Sequence, residues 1–447
     1  MTAHKIAVDT TISADWLAAV DQHNPAPSSG ITERQTIAID NGIIVAIGDS
    51  ETILADYQGR QHHQLDQHLL IPGLINAHGH SAMTLLRGYA DDYPLMEWLQ
   101  QHIWPAEQQW VEESFVRDGS DLAIAEMLLG GTTCFSDMYF FPEQTAAACI
   151  DAGMRAQLCF PILDFPNNWS DNADDAIDKG LALASATTDS LISFAFGPHA
   201  PYTVGDDSMK KIVNLAKQHQ LAVQIHCHET QHEVDDAIKE TGKRPLQRLD
   251  ELGLLSDNTQ LVHMTALNDD DIAITQRSGA SVIHCPESNL KLASGFCPVQ
   301  QLHHRDINVA IGTDGAASNN DLDLLGELRT AALLAKAVAS DASAVNTQQA
   351  LAMATINGAK ALGLDDKIGS LEIGKFADIV AIDMGTVTAQ PVYNPLSQLI
   401  YGNNSAAINH VWVAGEQKVC NRQLTSLDAD NIYQRACVWR DKIKKTS

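Results

Sequence analysis

Leu69-Leu70-Ile71-Pro72-Gly73-Leu74-Ile75-Asn76-Ala77-His78-Gly79-His80 is a short apolar run that ends in two histidines one residue apart. In extended backbone, side chains two apart point to the same side, so His78 and His80 can aim at one ion. The pair alone does not establish a site, because the chain carries 18 histidines and an H-x-H can arise by chance. What decides the fold is that this run is the first of a series.

From about residue 69 to 365, short apolar runs alternate with longer segments of helical spacing, the pattern of β/α units around a parallel sheet. Strands are expected at Leu69–Asn76, Thr132–Asp137, Met154–Phe160, Leu191–Phe196, Leu221–His226, Gln260–His263, Ala280–His284 and Asn308–Thr313. Eight such strands predict a closed (β/α)8 barrel. Helices are expected over Arg117–Leu129, Ala173–Ala186, Asp206–Gln218, Asp269–Ser278 and Leu322–Ala339, several opening near Asp or Asn.

The two ends differ from this middle. Residues 36–47 place β-rich segments on either side of Asn41-Gly42, a turn pair suited to positive φ, and so predict a hairpin. Further β-rich pieces stand at Ile379–Ile382, His410–Val413 and Lys418–Cys420. We therefore expect residues 1–68 and 369–447 to build a small β-sandwich domain beside a catalytic barrel over 69–368, with Asn24–Gly30 as an exposed loop.

Composition narrows the class of partner. Of 447 residues, 45% are apolar and 19% charged, an ordinary globular balance. A formal net charge of -27 repels phosphate backbones and anionic lipid, which disfavours nucleic-acid and membrane partners. The first residues show no basic region followed by a long apolar core, so a cytoplasmic protein is expected. Eight scattered cysteines without C-x-x-C are expected to be reduced and mainly buried. A homo-oligomer is compatible with the sequence, which does not fix the oligomeric state.

Barrel enzymes place chemistry at the C-terminal ends of their strands. Strand 1 ends in His78 and His80, strand 4 runs into His199, strand 5 ends in His226-Cys227-His228-Glu229, strand 6 in His263 and strand 8 in Thr313-Asp314-Gly315. Three imidazoles and one carboxylate from His78, His80, His226 and Asp314 form a donor set suited to zinc, with a position left for water. Alternation along a strand turns Cys227 and Cys285 away from this side.

Pro72 to His80, the strand 5 histidine and Gly312-Thr313-Asp314 together resemble the amidohydrolase superfamily, as does Gly369-Ser370-Leu371-Glu372-Ile373-Gly374-Lys375-Phe376-Ala377-Asp378 at the return into its small β domain. Binuclear members carry a carbamylated lysine, commonly on strand 4; here that end reads Phe196-Gly197-Pro198-His199, so one divalent ion per subunit is expected. Met83-Thr84-Leu85-Leu86-Arg87-Gly88, Trp98-Leu99, Trp104-Pro105-Ala106-Glu107, His226-x-x-Glu229 and His284-Cys285-Pro286-Glu287-Ser288-Asn289 are similar to the 5-methylthioadenosine/S-adenosylhomocysteine deaminases.

That resemblance implies hydrolytic deamination of an adenine ring. Asp314 would hold the metal and accept the water's proton, Glu229 would shuttle protons to the purine, and His263 would orient the nucleophile and stabilise the tetrahedral intermediate. Glu107 would accept hydrogen bonds from ribose hydroxyls and His199 would contact the nucleoside, with Glu229 and Asp314 also against the substrate. Met83, Leu86, Trp98 and Trp104 would cover it or simply pack, and Arg87 is read as structural. His228 is expected to turn away from His226 and pack; His284 is left outside the site. Because some motifs are shared with chlorohydrolases and other deaminases, two alternatives stay open. One is a related hydrolase acting on guanine, a pterin or a triazine; the other is an inactive barrel used as a binding or scaffold protein.

Overall fold

The computed structural model describes residues 5–21, 30–402 and 405–445. Eight parallel strands follow one another in chain order around a barrel, namely Leu74–Gly79, Thr132–Asp137, Arg155–Ile162, Ile192–Pro198, Ala222–Cys227, Thr259–His263, Ser281–His284 and Val309–Ile311. They are called strands 1 to 8 below. Strand 8 is short, and closure against strand 1 uses few bonds: Asp314 N donates to His78 O at 3.1 Å. The Asn76 side chain adds two more, to Thr313 N and Thr313 Oγ1. Gly312 permits this approach, since a Cβ there would meet His78 O at 2.8 Å.

The expected helices form at or within a few residues of their predicted ends; Ala173–Ala186 and Asp269–Ser278 match throughout. Local sequence explains their starts. Asn172 accepts from Asp175 N, and Asn268 forms a reciprocal capping box with Asp271.

One strand requires correction. Leu69–Asn76 was expected to be strand 1, but Leu69–Pro72 is the end of a 16-residue strand, Tyr57–Pro72, in a different sheet. There it pairs parallel with Ile6–Leu17 and antiparallel with Ile379–Asp383. Gly73 makes the break: its N–H bonds Asp378 O, and a Cβ at this position would lie 2.0 Å from Thr133 Oγ1. The apolar run is continuous because both of its strands are buried, so hydrophobicity alone gives no boundary.

The second sheet has eight strands, mixed in direction and drawn from both ends of the chain. The hairpin forms as read, with Thr32–Asp40 and Ile43–Asp49 joined by Asn41 and Gly42 at φ 50° and 77°. The sheet curls until Ile44 exchanges backbone bonds with Gly374 and Lys375, enclosing Ile12, Ile37, Ile39, Leu70, Ile379 and Trp412 in a core of their own. Buried Arg155 of strand 3 reaches Asp378 through Nε and Nη2 at 3.2 and 3.3 Å, tying the barrel to this sheet. The last helix, Ala429–Lys444, returns to the barrel, where Arg435 and Trp439 both bond Asp118 on the helix Glu113–Leu129. All eight cysteines are free and six are buried. The predicted exposed loop falls, at 24–29, outside the described residues.

Candidate metal centre and active site

At the C-terminal mouth of the barrel, His78, His80, His226 and Asp314 bring one donor atom each within 4.8 Å of one another. His78 is the penultimate residue of strand 1 and His80 follows just past its end, while His226 stands near the end of strand 5. Asp314 adopts φ 62°, a left-handed turn after strand 8 that Asp tolerates better than most residues. Its Oδ1 lies 3.2 Å from His80 Nε2 and 3.6 Å from His78 Nε2.

Outer contacts set the tautomers. His80 Nδ1 meets Met138 O at 2.6 Å and His226 Nδ1 meets His199 O at 2.7 Å, so both rings carry a proton on Nδ1. His78 Nδ1 meets Gln224 Oε1 at 2.7 Å. The Gln224 amide is itself oriented, because its Nε2 donates to Ala77 O and Gln260 Oε1. Three Nε2 lone pairs therefore converge, with those of His78 and His226 only 3.1 Å apart.

Burial lowers the pKa of His78 and takes His226 well below its ordinary value, so both stay neutral. Burial opposes the charge on Asp314 too, yet its bonds to His78 and His80 outweigh that and hold it well below the carboxylate range. Burial also lowers His80, but its bond to Asp314 and that carboxylate's charge prevail and raise it to about 9. An ionised, buried carboxylate needs positive charge, from a second proton on His80 or from a cation on the Nε2 atoms. Lone pairs 3.1 Å apart, with their Nδ1 protons committed elsewhere, fit the cation.

Beside this group a cavity of about 480 Å³ opens, lined by His80, His199, His226, Glu229, His263 and Asp314 and by Glu107 and apolar side chains. Glu229 is 6% exposed, with Ser294 Oγ 3.3 Å from one oxygen and His263 Nε2 3.7 Å from the other. Burial raises its pKa to about 8, so it holds a proton at neutral pH. Burial likewise raises Glu107 to about 7, against the lowering effect of the Tyr139 hydroxyl that donates to it at 2.8 Å. His199 is kept neutral, lowered to about 3 by burial and by the neighbouring imidazoles. His263, in left-handed backbone, places Nδ1 2.9 Å from Asn289 Oδ1.

The expected packing role of His228 has a different cause from the one inferred. Strand alternation would put residues 226 and 228 on the same side; instead the strand ends at Cys227, and His228 turns at φ 53°. Its ring then bonds Ala266 O and accepts from Leu246 N. His284 is buried beneath His263 and lowered to about 3 by burial. Met83, Trp98 and Trp104 line the cavity, Leu86 packs below, and Arg87 pairs with Glu126.

Several supporting residues were not read from the sequence. Ser288 and Ser318 hydroxyls donate to Asp314 Oδ2 at 2.6 and 3.0 Å, leaving Oδ1 to face the imidazoles. Asp137 ends strand 2 and accepts from Ser81 N at 2.6 Å, fixing the chain just after His80. Signals did exist: Gln224 interrupts an apolar strand, and Ser288-Asn289 closes a motif already noted.

The amidohydrolase family profile matches residues 69–418. The chain belongs to the amidohydrolase family. This amidohydrolase is 52% identical over 442 residues to the 5-methylthioadenosine/S-adenosylhomocysteine deaminase of Saccharophagus degradans, covering 99% of this chain and 98% of that one. It is 40% identical over 371 residues to the 5'-deoxyadenosine deaminase of Methanopyrus kandleri, covering 83% and 86% of the two chains. Among solved structures, the adenosine deaminase from Xanthomonas campestris with bound zinc superposes with a TM-score of 0.96 at 45% identity, covering 99% and 100%. The barrel with a sheet from both chain ends is the fold expected above. No described helix of this amidohydrolase is long and apolar enough to cross a membrane.

Proposed function

We propose that the protein hydrolyses the C6 amino group of adenine nucleosides such as 5'-methylthioadenosine and S-adenosylhomocysteine, giving the inosyl product and ammonia. The observation that carries this reading is a buried Glu229 lining the same cavity as His80, His226 and Asp314, three of the four converging donors. The kinship with chains named for adenine nucleoside deamination supports it. A cytoplasmic location and a small-molecule partner belong to the same reading.

A divalent ion on those donors, with zinc the best match to three imidazoles and a carboxylate, supplies an acidified water at neutral pH. Asp314 accepts the proton released when water adds at C6. Glu229 donates its proton to the purine ring nitrogen, which relieves the electron richness that makes C6 a poor electrophile. His263, against Glu229, stabilises the oxygen now on the tetrahedral carbon. Asp314 then gives its proton to the amino group, which leaves as ammonia, while the C6 hydroxyl returns a proton to Glu229 and becomes the 6-oxo group. Glu107 accepts from ribose hydroxyls, its side chain steadied by Tyr139, and the neutral His199 contacts the nucleoside.

An ultraviolet screen for adenine-to-hypoxanthine conversion tests this directly, with 5'-methylthioadenosine, S-adenosylhomocysteine and adenosine as substrates and guanine, a pterin and a triazine as controls. Turnover of a control above every nucleoside would replace the reading with that of a related hydrolase. Metal-loaded protein that turns over none of them would support a binding or scaffold role.

A further inference from the structure

The cavity is chemically two-sided. Its lining combines the titratable groups with an apolar wall of Leu95, Trp98, Leu99, Trp104, Leu163 and Phe165, the first four packed in one cluster. Two of the three amides in the lining, Asn167 and Asn168, are already engaged. Asn168 donates to Glu107 O, Gln108 O and Val111 O, and Asn167 caps Trp169 N and Ser170 N while bonding Ser170 Oγ. Asn168 thereby clamps the loop after strand 3 onto the helix Trp104–Trp110, and Asn167 is held within that loop.

A nucleoside with C6 at the metal end and its ribose against Glu107 sends its 5' substituent to this wall. We infer that the protein selects adenine nucleosides whose 5' substituent is uncharged and apolar, a thioether or a deoxy methyl group, over those ending in an amino-acid zwitterion. This rests on the deaminase reading above and sharpens it. A methylthio group buries apolar surface there and places its sulfur among aromatic rings, a favourable contact. A zwitterion brought to the same wall loses hydration at both its carboxylate and its ammonium, and none of these apolar side chains supplies either with a partner.

The adjoining depression does not supply one for the carboxylate. It shares Phe165 and Tyr202 with the cavity and contains Lys243 and Arg248, but these sit among Asp164, Asp206, Glu240 and Glu251. Arg248 Nε pairs with Asp206 at 2.7 Å and Lys243 pairs with Glu251.

The test compares kcat/KM for 5'-methylthioadenosine, 5'-deoxyadenosine and S-adenosylhomocysteine on the zinc-loaded protein. The first two should exceed the third by at least about tenfold. A smaller margin, or a preference for the homocysteine nucleoside, overturns the inference while leaving the deaminase reading intact; turnover of no nucleoside overturns both. Gln108 stands exposed at the rim, so Gln108→Arg supplies the missing cation without a change in the core. That variant should raise the ratio of S-adenosylhomocysteine to 5'-methylthioadenosine turnover by about fivefold or more, an effect weakened by salt. An unchanged ratio would mean that the tail does not meet this wall.

Discussion

Replacing Glu229 by Gln should make the protein less active but more stable, and the gain in stability should grow with pH. Glu229 is buried, and burial, reinforced by the charge of Asp314 and opposed by the Ser294 bond, raises its pKa from 4.5 to about 8. Between those values the folded carboxyl keeps a proton that the unfolded chain releases. The folded state thus binds more protons, and stability falls as pH rises through this window. At about 1.4 kcal/mol per pH unit, the penalty is nil near pH 4.5, about 3 kcal/mol near pH 7 and about 5 kcal/mol above pH 8.

Gln has the same shape and cannot ionise, so it removes this term; local relaxation reduces the gain to roughly 2–4 kcal/mol above pH 8. Urea unfolding of both metal-free proteins, followed by tryptophan fluorescence at about pH 5, 7 and 8.5, measures it. Other titrating groups are common to both and cancel in the difference. The variant should retain its metal, lose at least about a hundredfold in turnover, and pull ahead of the parent as pH rises. A stability difference that stays constant or shrinks with pH would refute the claim that the fold holds Glu229 neutral. Unchanged turnover would remove it from the mechanism.

Substituting His226 by Asn should lower bound metal to a small fraction of stoichiometric, measured by elemental analysis, because one of three converging Nε2 donors is lost. Glu107→Ala should weaken kcat/KM for nucleosides by about tenfold or more while leaving any turnover of free adenine unaffected; equal losses on both would take Glu107 off the ribose. Arg155→Leu should cost about 3–5 kcal/mol in urea unfolding, since it strands the buried Asp378 carboxylate, and adding Asp378→Asn should restore part of that. Gly73→Ala should cost about 1–3 kcal/mol, because its Cβ would stand 2.0 Å from the buried Thr133 Oγ1.

Much of the barrel was legible because each β/α unit carries its own signals. Strands such as Thr132–Asp137 are short, apolar and bounded, and helices such as Asp269–Ser278 announce their caps. Leu69–Asn76 was misread for a physical reason. Two buried strands in different sheets form one apolar run, and only the contact of Gly73 with Thr133 and Asp378 reveals the break. His228 shows the same limit: its direction depends on one positive φ angle, which a two-residue period cannot supply.

The amino-acid sequence by itself determined the donor types, their places at strand ends and the succession of elements that makes a barrel, because these depend on local pattern and chemical identity. It could list His78, His80, His226 and Asp314, but their convergence depends on separations of up to 236 residues in the chain being closed by strand order. The tertiary structure alone decided that Ser288, Ser318 and Gln224 steer those donors and that Glu229 keeps its proton. It also decided that apolar side chains such as Leu95, Trp98 and Leu99 line the same cavity as Glu229. Each of these is a property of what surrounds a side chain. Surroundings are made by packing distant segments together, so no local pattern in the chain contains them.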